Sequence, residues 1–296
     1  MVILPERSTK NSGQALLVIL LILAVSLTIG LAIVSRSVMD IQISQQSEES
    51  ARAFSAAEAG IESALANGAL AGNFTDTGAT YQVAKKDLGK DQTEFVFPGE
   101  YQTNEIQTLW LADHDLSNNL VRYYDRTKLR VVWGKPGAPV IPALEVSTYY
   151  QETGTYKVQR YALDPTTGRS VGTCPAAQCG FCDTTMGCTG ISSYNCSGTV
   201  VVGGKTFRCG ATLDLPTPAA PGLLLFSRLR LFYSTNEILG AKAGTGGTHD
   251  FPSQGTRIES VGQAGASTRK VEVQRLFPAP PAIFDFVLYT EGSLQK

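Results

Sequence analysis

The chain starts polar, becomes wholly apolar, and later settles into alternation. Residues 1–13 are hydrophilic and include Arg7 and Lys10, whereas residues 15–34 carry no charged side chain. At ~1.5 Å per residue, a helix of ~20 such residues spans roughly 30 Å, the thickness of a bilayer's hydrocarbon core. The pattern predicts a transmembrane helix. Basic residues precede it and a long polar body follows, so the positive-inside bias places the N-terminus in the cytoplasm and everything after Arg36 outside. A cleaved secretory signal fits less well, because its apolar run is usually ~7–15 residues and no small-x-small site closes this one before residues 35–40.

Between residues 14 and 65 there is neither a proline nor a turn cluster. The helix is therefore expected to continue well past the membrane, with Asn67-Gly68 as its stop signal. Phe54, Ala57, Ile61 and Leu65 recur at helical spacing and predict a face that packs on a folded domain. Residues 44–50 are polar, and Glu48 stands four positions before Arg52, a spacing that allows a modest pair on a solvated surface.

After Gly72 the period changes to two. Leu129, Val131 and Trp133 alternate along one face; Leu229, Leu231 and Tyr233 do the same, with Arg228 and Arg230 assigned to the opposite face; Val271 and Val273 are flanked by Lys270, Glu272 and Gln274. Half-buried strands read this way. Proline-rich breaks at 135–142, 215–221 and 277–282 separate the groups as loops. The expected fold class is α+β: a long N-terminal helix, transmembrane in its first half, packed on a mostly antiparallel β body with a cysteine-rich insertion. The segments are a cytoplasmic leader (1–13), the transmembrane half of the helix (14–35), its extramembrane half (36–68), and a β-rich extracytoplasmic domain (69–296) carrying the insertion at 168–210, with the strands in two sheets or a sandwich.

Charge and composition then narrow the chemistry. The net charge is −1 with both signs interspersed, so nothing favours nucleic acid as a partner. Arg257, Arg269, Lys270 and Arg275 form a basic group, but no row of aromatics alternates with them as a single-strand binder needs. All six cysteines, Cys174, Cys179, Cys182, Cys188, Cys196 and Cys209, fall in one stretch. Zinc favours two Cys-x-x-Cys knuckles, and only Cys179 and Cys182 make one. Outside the membrane thiols oxidise, so three disulfides are expected, their pairing open, tying a Gly-, Ser- and Thr-rich stretch with little apolar material to bury.

Other constellations imitate chemistry. Gly168-Arg169-Ser170-Val171-Gly172 matches a nucleophile elbow but is preceded by Asp164-Pro165 rather than a strand. The two histidines, His114 and His249, leave little for a triad. Asp113-His114-Asp115 with Asn118 and Asn119 has oxygen ligands at calcium-like spacing but lacks the glycine and final glutamate of a calcium loop, and reads as a polar surface turn. Residues 240–247 read as a flexible glycine-rich loop. No catalytic residue, cofactor or metal is expected, and the chain is not read as an enzyme.

Three features of the helix have a family likeness. The leader ends in Ser12-Gly13 directly before the apolar run; Gln14-Ala15-Leu16-Leu17-Val18-Ile19-Leu20-Leu21 resembles the start of PilX-like minor pilins of type IV pili; and Ala53-Phe54-Ser55-Ala56-Ala57-Glu58-Ala59-Gly60-Ile61-Glu62 resembles the signature that closes the N-terminal helix in that family. The likeness covers about residues 11–66, roughly a fifth of the chain.

It implies a prepilin peptidase cut between Gly13 and Gln14, where a residue without a side chain lets a protease reach the backbone. It also implies a helix whose Leu16, Leu17, Val18, Ile19, Leu20 and Gly30 exchange lipid for a filament core, and no catalytic function. The implied partners are other pilin subunits, the peptidase, an inner-membrane assembly platform and, before assembly, membrane lipid. The implied location is the cytoplasmic membrane, single-pass with the N-terminus inside, and then a cell-surface pilus.

Major pilins carry glutamate where this chain has Val18. A neighbour's glutamate offsets the buried amine created by the cut, and an unpaired buried charge costs several kcal/mol. Val18 therefore implies a minor subunit, at a filament tip or a rare position. The alternatives are an uncleaved membrane-anchored adhesin or binding module, and a secretion-system pseudopilin.

Overall fold

A computed structural model describes residues 12–115, 117, 119–166, 169 and 189–281. The leader up to residue 11, Asn118, Gly168, Ser170, Val171, Gly172, Cys174, Cys179, Cys182 and Cys188 lie outside the described residues. One helix, α1 (Ser12–Ala66), opens the chain and runs for 55 residues. The absence of proline permits that length, about 80 Å at ~1.5 Å per residue. It ends where expected: Asn67 donates its backbone N–H to Ser63 O at 3.0 Å, Ala69 donates to Asn67 Oδ1 at 3.0 Å, and Gly68 takes a φ of 77°.

Strands follow in the order β1 (Ala71–Phe74), β2 (Ala79–Asp87), β3 (Glu94–Val96), β4 (Ile106–Trp110), β5 (Ala112–His114), β6 (Leu120–Arg122), β7 (Lys128–Trp133), β8 (Ala143–Glu152) and β9 (Thr155–Leu163). The second half of the chain adds β10 (Ile191–Asn195), β11 (Val200–Val202), β12 (Lys205–Phe207), β13 (Cys209–Asp214), β14 (Leu223–Phe232), β15 (Leu239–Ala243), β16 (Gly255–Ala264) and β17 (Ser267–Leu276). The α+β class is as expected from the sequence. The strands from residue 69 onward fall in two compact units: residues up to 84 with 259–272 form the first, and 85–258 with the residues from 273 form the second.

In the first unit the C-terminal end of α1 lies on strands taken from a sheet of order β1-β2-β16-β17. The buried helix positions are Ala53, Ala56, Ala57, Gly60, Ile61 and Ala64. They differ from the face predicted by spacing: Ala57 and Ile61 are buried, but Phe54 and Leu65 stay 46% and 42% exposed. The reason is steric. A Cβ on Gly262 of β16 would stand 2.0 Å from Ala53 O and 2.5 Å from Ala57 N, and one on Gly60 would meet Ser260 Oγ at 2.3 Å and the Tyr81 ring at 2.9 Å. The helix backbone sits directly on the strand backbone, a distance only alanine and glycine allow. The bulky residues are displaced to the flank.

The second unit is built on two antiparallel sheets, β10-β13-β7-β15-β3 and β4-β14-β8-β9. Leu129, Val131 and Trp133 of β7, Leu144 and Val146 of β8, and Leu229 and Leu231 of β14 meet in one core, each with no exposed surface. Trp133 also satisfies its indole N–H on Pro142 O at 2.8 Å. Burying these apolar groups is the main favourable term, worth ~25 cal/mol per Å².

One strand reading needs correction, and another is refined. Tyr233 leaves the face of Leu229 and Leu231 and is 49% exposed, at a φ of 57°; Arg228 does lie on the opposite face, yet that face is covered there and it is 4% exposed. Its guanidinium lies 5.6 Å from the Phe226 ring centre and 5.8 Å from that of Tyr149, and it donates to Pro280 O. Aromatic faces and a carbonyl thus replace the water it gives up. Within the cysteine-rich insertion the described residues from 191 onward supply β10, β11 and β12, and β13, which starts at Cys209, pairs along its whole length with β7.

Candidate functional site

The helix named by the sequence has two surfaces. Leu16, Leu17, Val18, Ile19 and Leu20 are 66%, 68%, 56%, 56% and 58% exposed, and a Cβ built on Gly30 finds nothing within 4 Å. Thr28 turns its hydroxyl back to Val25 O at 2.8 Å, so its polar atom is satisfied within the helix. The helix is long and apolar enough to cross a membrane, and none of its most apolar stretch is covered by the rest of the chain. The exposed apolar surface also runs beyond the boundary read at residue 35: Val38, Met39, Ile41 and Ile43 are about half exposed or more. Their interruption by Arg36 and Asp40 hid this extension from a charge-based reading. Gly13 and Gln14 fall in the first turn of α1.

Next to this surface comes a polar segment that tethers the helix. Glu49 accepts the Ala266 backbone N–H at 3.0 Å, and Arg269 donates from Nε to Ser50 Oγ at 2.8 Å. Arg52 pairs with Glu48 as the i, i+4 spacing required. Arg269, read earlier as part of a basic face, is thus engaged by the helix, and Lys270 pairs with Glu259 at 2.8 Å. The alanine and glycine seam follows within one further turn. Sequence periodicity missed that seam because alanine scores as weakly apolar; the run of small residues in Ala56-Ala57 and Ala59-Gly60 was the available signal.

Of the cysteines, Cys196 and Cys209 are joined by a disulfide and nearly fully buried. The bridge closes the ribbon formed by β11 and β12, which pair antiparallel.

The chemistry-like motifs disperse. Asp113 is 8% exposed and pairs with Lys90 at 3.2 Å, so it is not part of a surface turn. That pairing raises the Lys90 pKa, first through the hydrogen bond and then through the charge. Asp115 instead accepts the backbone N–H groups of Ser117 at 2.9 Å and Asn119 at 2.8 Å, and these bonds hold its carboxyl below the ordinary value. His114 lies against Trp110 and Phe277, with ring centres at 4.6 and 4.2 Å, and desolvation lowers its pKa. The expected flexible loop at 240–247 begins inside β15.

His249 Nδ1 lies 3.0 Å from Asp125 Oδ2, and Asp125 also accepts the Thr248 and His249 backbone N–H groups. The net effect holds that carboxyl well below its usual range, hydrogen bonding outweighing the opposing effect of desolvation. Among the described residues no three His, Cys, Asp or Glu side chains converge as metal ligands.

No protein-family model, curated protein or solved structure matches the chain. The functional reading therefore rests on the helix and its motifs: an apolar rod exposed along its length, joined by a seam of small residues to a folded β unit. Such a rod needs an apolar surrounding, either lipid or other helices, because hundreds of Å² of contiguous exposed apolar surface do not persist in water.

Proposed function

We propose that the chain is a minor pilin-like structural subunit of a type IV pilus-like filament. It waits in the cytoplasmic membrane by α1 and is drawn into the filament after cleavage between Gly13 and Gln14. The observation that carries this reading is the uncovered apolar surface of residues 16–43 on a helix whose other end is locked to a folded unit. A plain anchor needs only enough apolar length to span lipid. This surface continues past that length, which suits contact with neighbouring helices.

Lipid and a helix bundle are about equally apolar, so transfer between them depends on packing rather than on hydrophobic gain. Ala24, Ser26, Thr28 and Gly30 supply small surfaces for that packing. Val18, in place of a glutamate, leaves the subunit unable to neutralise a neighbour's new amine, which favours a tip or other rare position. A disulfide at Cys196–Cys209 suits an extracytoplasmic, oxidising location.

N-terminal sequencing of the mature protein tests the proposal. A mature N-terminus at Gln14 that reverts to the intact precursor in Gly13→Asp supports it. Recovery of the uncleaved chain from the membrane, absent from sheared surface fibres, rejects it in favour of an anchored adhesin.

A further inference from the structure

A cleft of about 480 Å³ opens in the second unit, lined by Lys128, Arg130, Thr212, Lys242, Thr245 and one face of β11. Its floor is the sheet surface turned away from the core. Cross-strand register places Ser193, Thr212, Arg130, Lys242 and Glu94 in one row over β10, β13, β7, β15 and β3. On β7, Arg130 and Val132 share a face, and Val132 is covered by Val202 and Phe207 of the β11–β12 ribbon. The ribbon thus roofs one end of the row, and the cleft is what it leaves open.

The charges in the row are unevenly matched. Lys128 pairs with Asp214 at 2.6 Å and Lys242 with Glu94 at 2.7 Å. Each carboxylate is further committed: Asp214 to the Ser192 hydroxyl, Glu94 to the Gly203 N–H at 2.7 Å. Between these two closed pairs stands Arg130, with no carboxylate partner among the described residues and a buried Nε that lacks any acceptor. Its guanidinium fits where it does because position 210 is glycine; a Cβ there would come within 3.3 Å of Nη2 and of the Val200 side chain. Three cations against two carboxylates leave one positive charge in the cleft, on a group that forks two parallel donors.

We infer that this cleft is a binding site for a singly charged carboxylate carried on a hydroxyl-rich ligand, a sugar acid, with the carboxylate on Arg130. Hydroxyls of Thr199, Thr212 and Thr245 offer donors and acceptors for a polyol, and Val200 offers an apolar wall for a ring face. The surplus of one charge matches a monoanion; a phosphate dianion would exceed it. The disulfide has a part in this: Cys196–Cys209 closes the segment that carries the ribbon, so it holds the wall of the cleft. The inference does not depend on whether the chain forms filaments.

The test is a calorimetric titration of the full-length protein in detergent micelles with glucuronate, against glucose, acetate and inorganic phosphate. Glucuronate is expected to bind most tightly, with acetate weaker and glucose undetected. Arg130→Gln is expected to reduce affinity at least about tenfold, as loss of a charge-assisted pair implies, and Arg130→Lys by less. Lys242→Gln lowers the net charge of the cleft by one and leaves Glu94 without its cation, while Arg130 itself is untouched, and is expected to weaken binding about threefold or more; it serves if Arg130→Gln melts early. Cys196→Ser combined with Cys209→Ser is expected to lower affinity by loosening the wall. Equal binding of glucose, preferential binding of phosphate, or full affinity in a folded Arg130→Gln overturns the inference.

Discussion

The two ends of α1 are both apolar, yet they behave in opposite ways. From Leu16 to Ile43 the large side chains are exposed throughout, while from Ala53 to Ala64 one face made of Ala53, Ala56, Ala57, Gly60, Ile61 and Ala64 is buried. The buried face is made mostly of small residues, the exposed stretch mostly of large ones. Leucine and isoleucine hold a neighbour at side-chain distance and leave a surface for whatever surrounds the helix, be it lipid or further helices. Alanine and glycine bring backbone to backbone, as Gly262 and Ala53 show, and so fix the helix to its own chain. One continuous helix therefore carries an outward-looking half and an inward-looking half, the second marked by its seam of small residues against β16.

The sharpest way to break this contrast is to put bulk into the seam. Gly262→Leu forces side-chain atoms against the Ala53 and Ala57 backbone and is expected to destabilise the first unit by ~3 kcal/mol or more, read as early protease cleavage around residues 44–66 in detergent. Next comes a charge in the outward half: Leu23→Arg is expected to cost about 3 kcal/mol of membrane insertion with no change in unfolding of the β units. A fall in both would show that the two halves are not independent.

Gly60→Ala adds one methyl against Ser260 Oγ and Tyr81 and is expected to cost ~1–2 kcal/mol by thermal unfolding. Phe54→Ala, at a half-exposed flank position, is expected to cost under ~1 kcal/mol, although the residue belongs to the family-like motif.

The smallest effect is electrostatic and belongs to the second unit. Lys242 and the Gly203 N–H hold the Glu94 pKa below its ordinary 4.5. A depressed folded pKa means its contribution is fully present above 4.5 and is lost as pH falls through the lower folded value. Glu94→Gln is expected to flatten that acid limb. The buried helix residues of the seam carry no titratable group, so their packing on β16, unlike the Glu49 tether, is expected to keep its strength across the same range.

The helix, its exposure, its stop at Asn67-Gly68 and the alternation of Leu129, Val131 and Trp133 were legible because period and charge report them directly. The docking face was not. A moment built on large apolar residues points at Phe54 and Leu65, whereas contact was decided by how closely a backbone can approach β16, a tertiary property. The burial of Arg228 was hidden for a similar reason: alternation gave its face correctly, but Tyr149, Phe226 and Pro280 decide whether that face is wet. The cleft around Arg130 was invisible in sequence because its row joins five strands scattered from Glu94 to Lys242.

The strands that receive the helix come from far apart in the chain, 71–84 on one side and 259–272 on the other. During synthesis at ~5–20 residues per second, about 200 residues separate the emergence of α1 from that of β16, an interval of roughly 10–40 seconds. The greasy half is thus translated, and free to partition, well before the β16 side of the alanine seam exists. Until then only β1 and β2 are available to the helix end, so the close backbone approach between Gly262 and Ala53 is completed last.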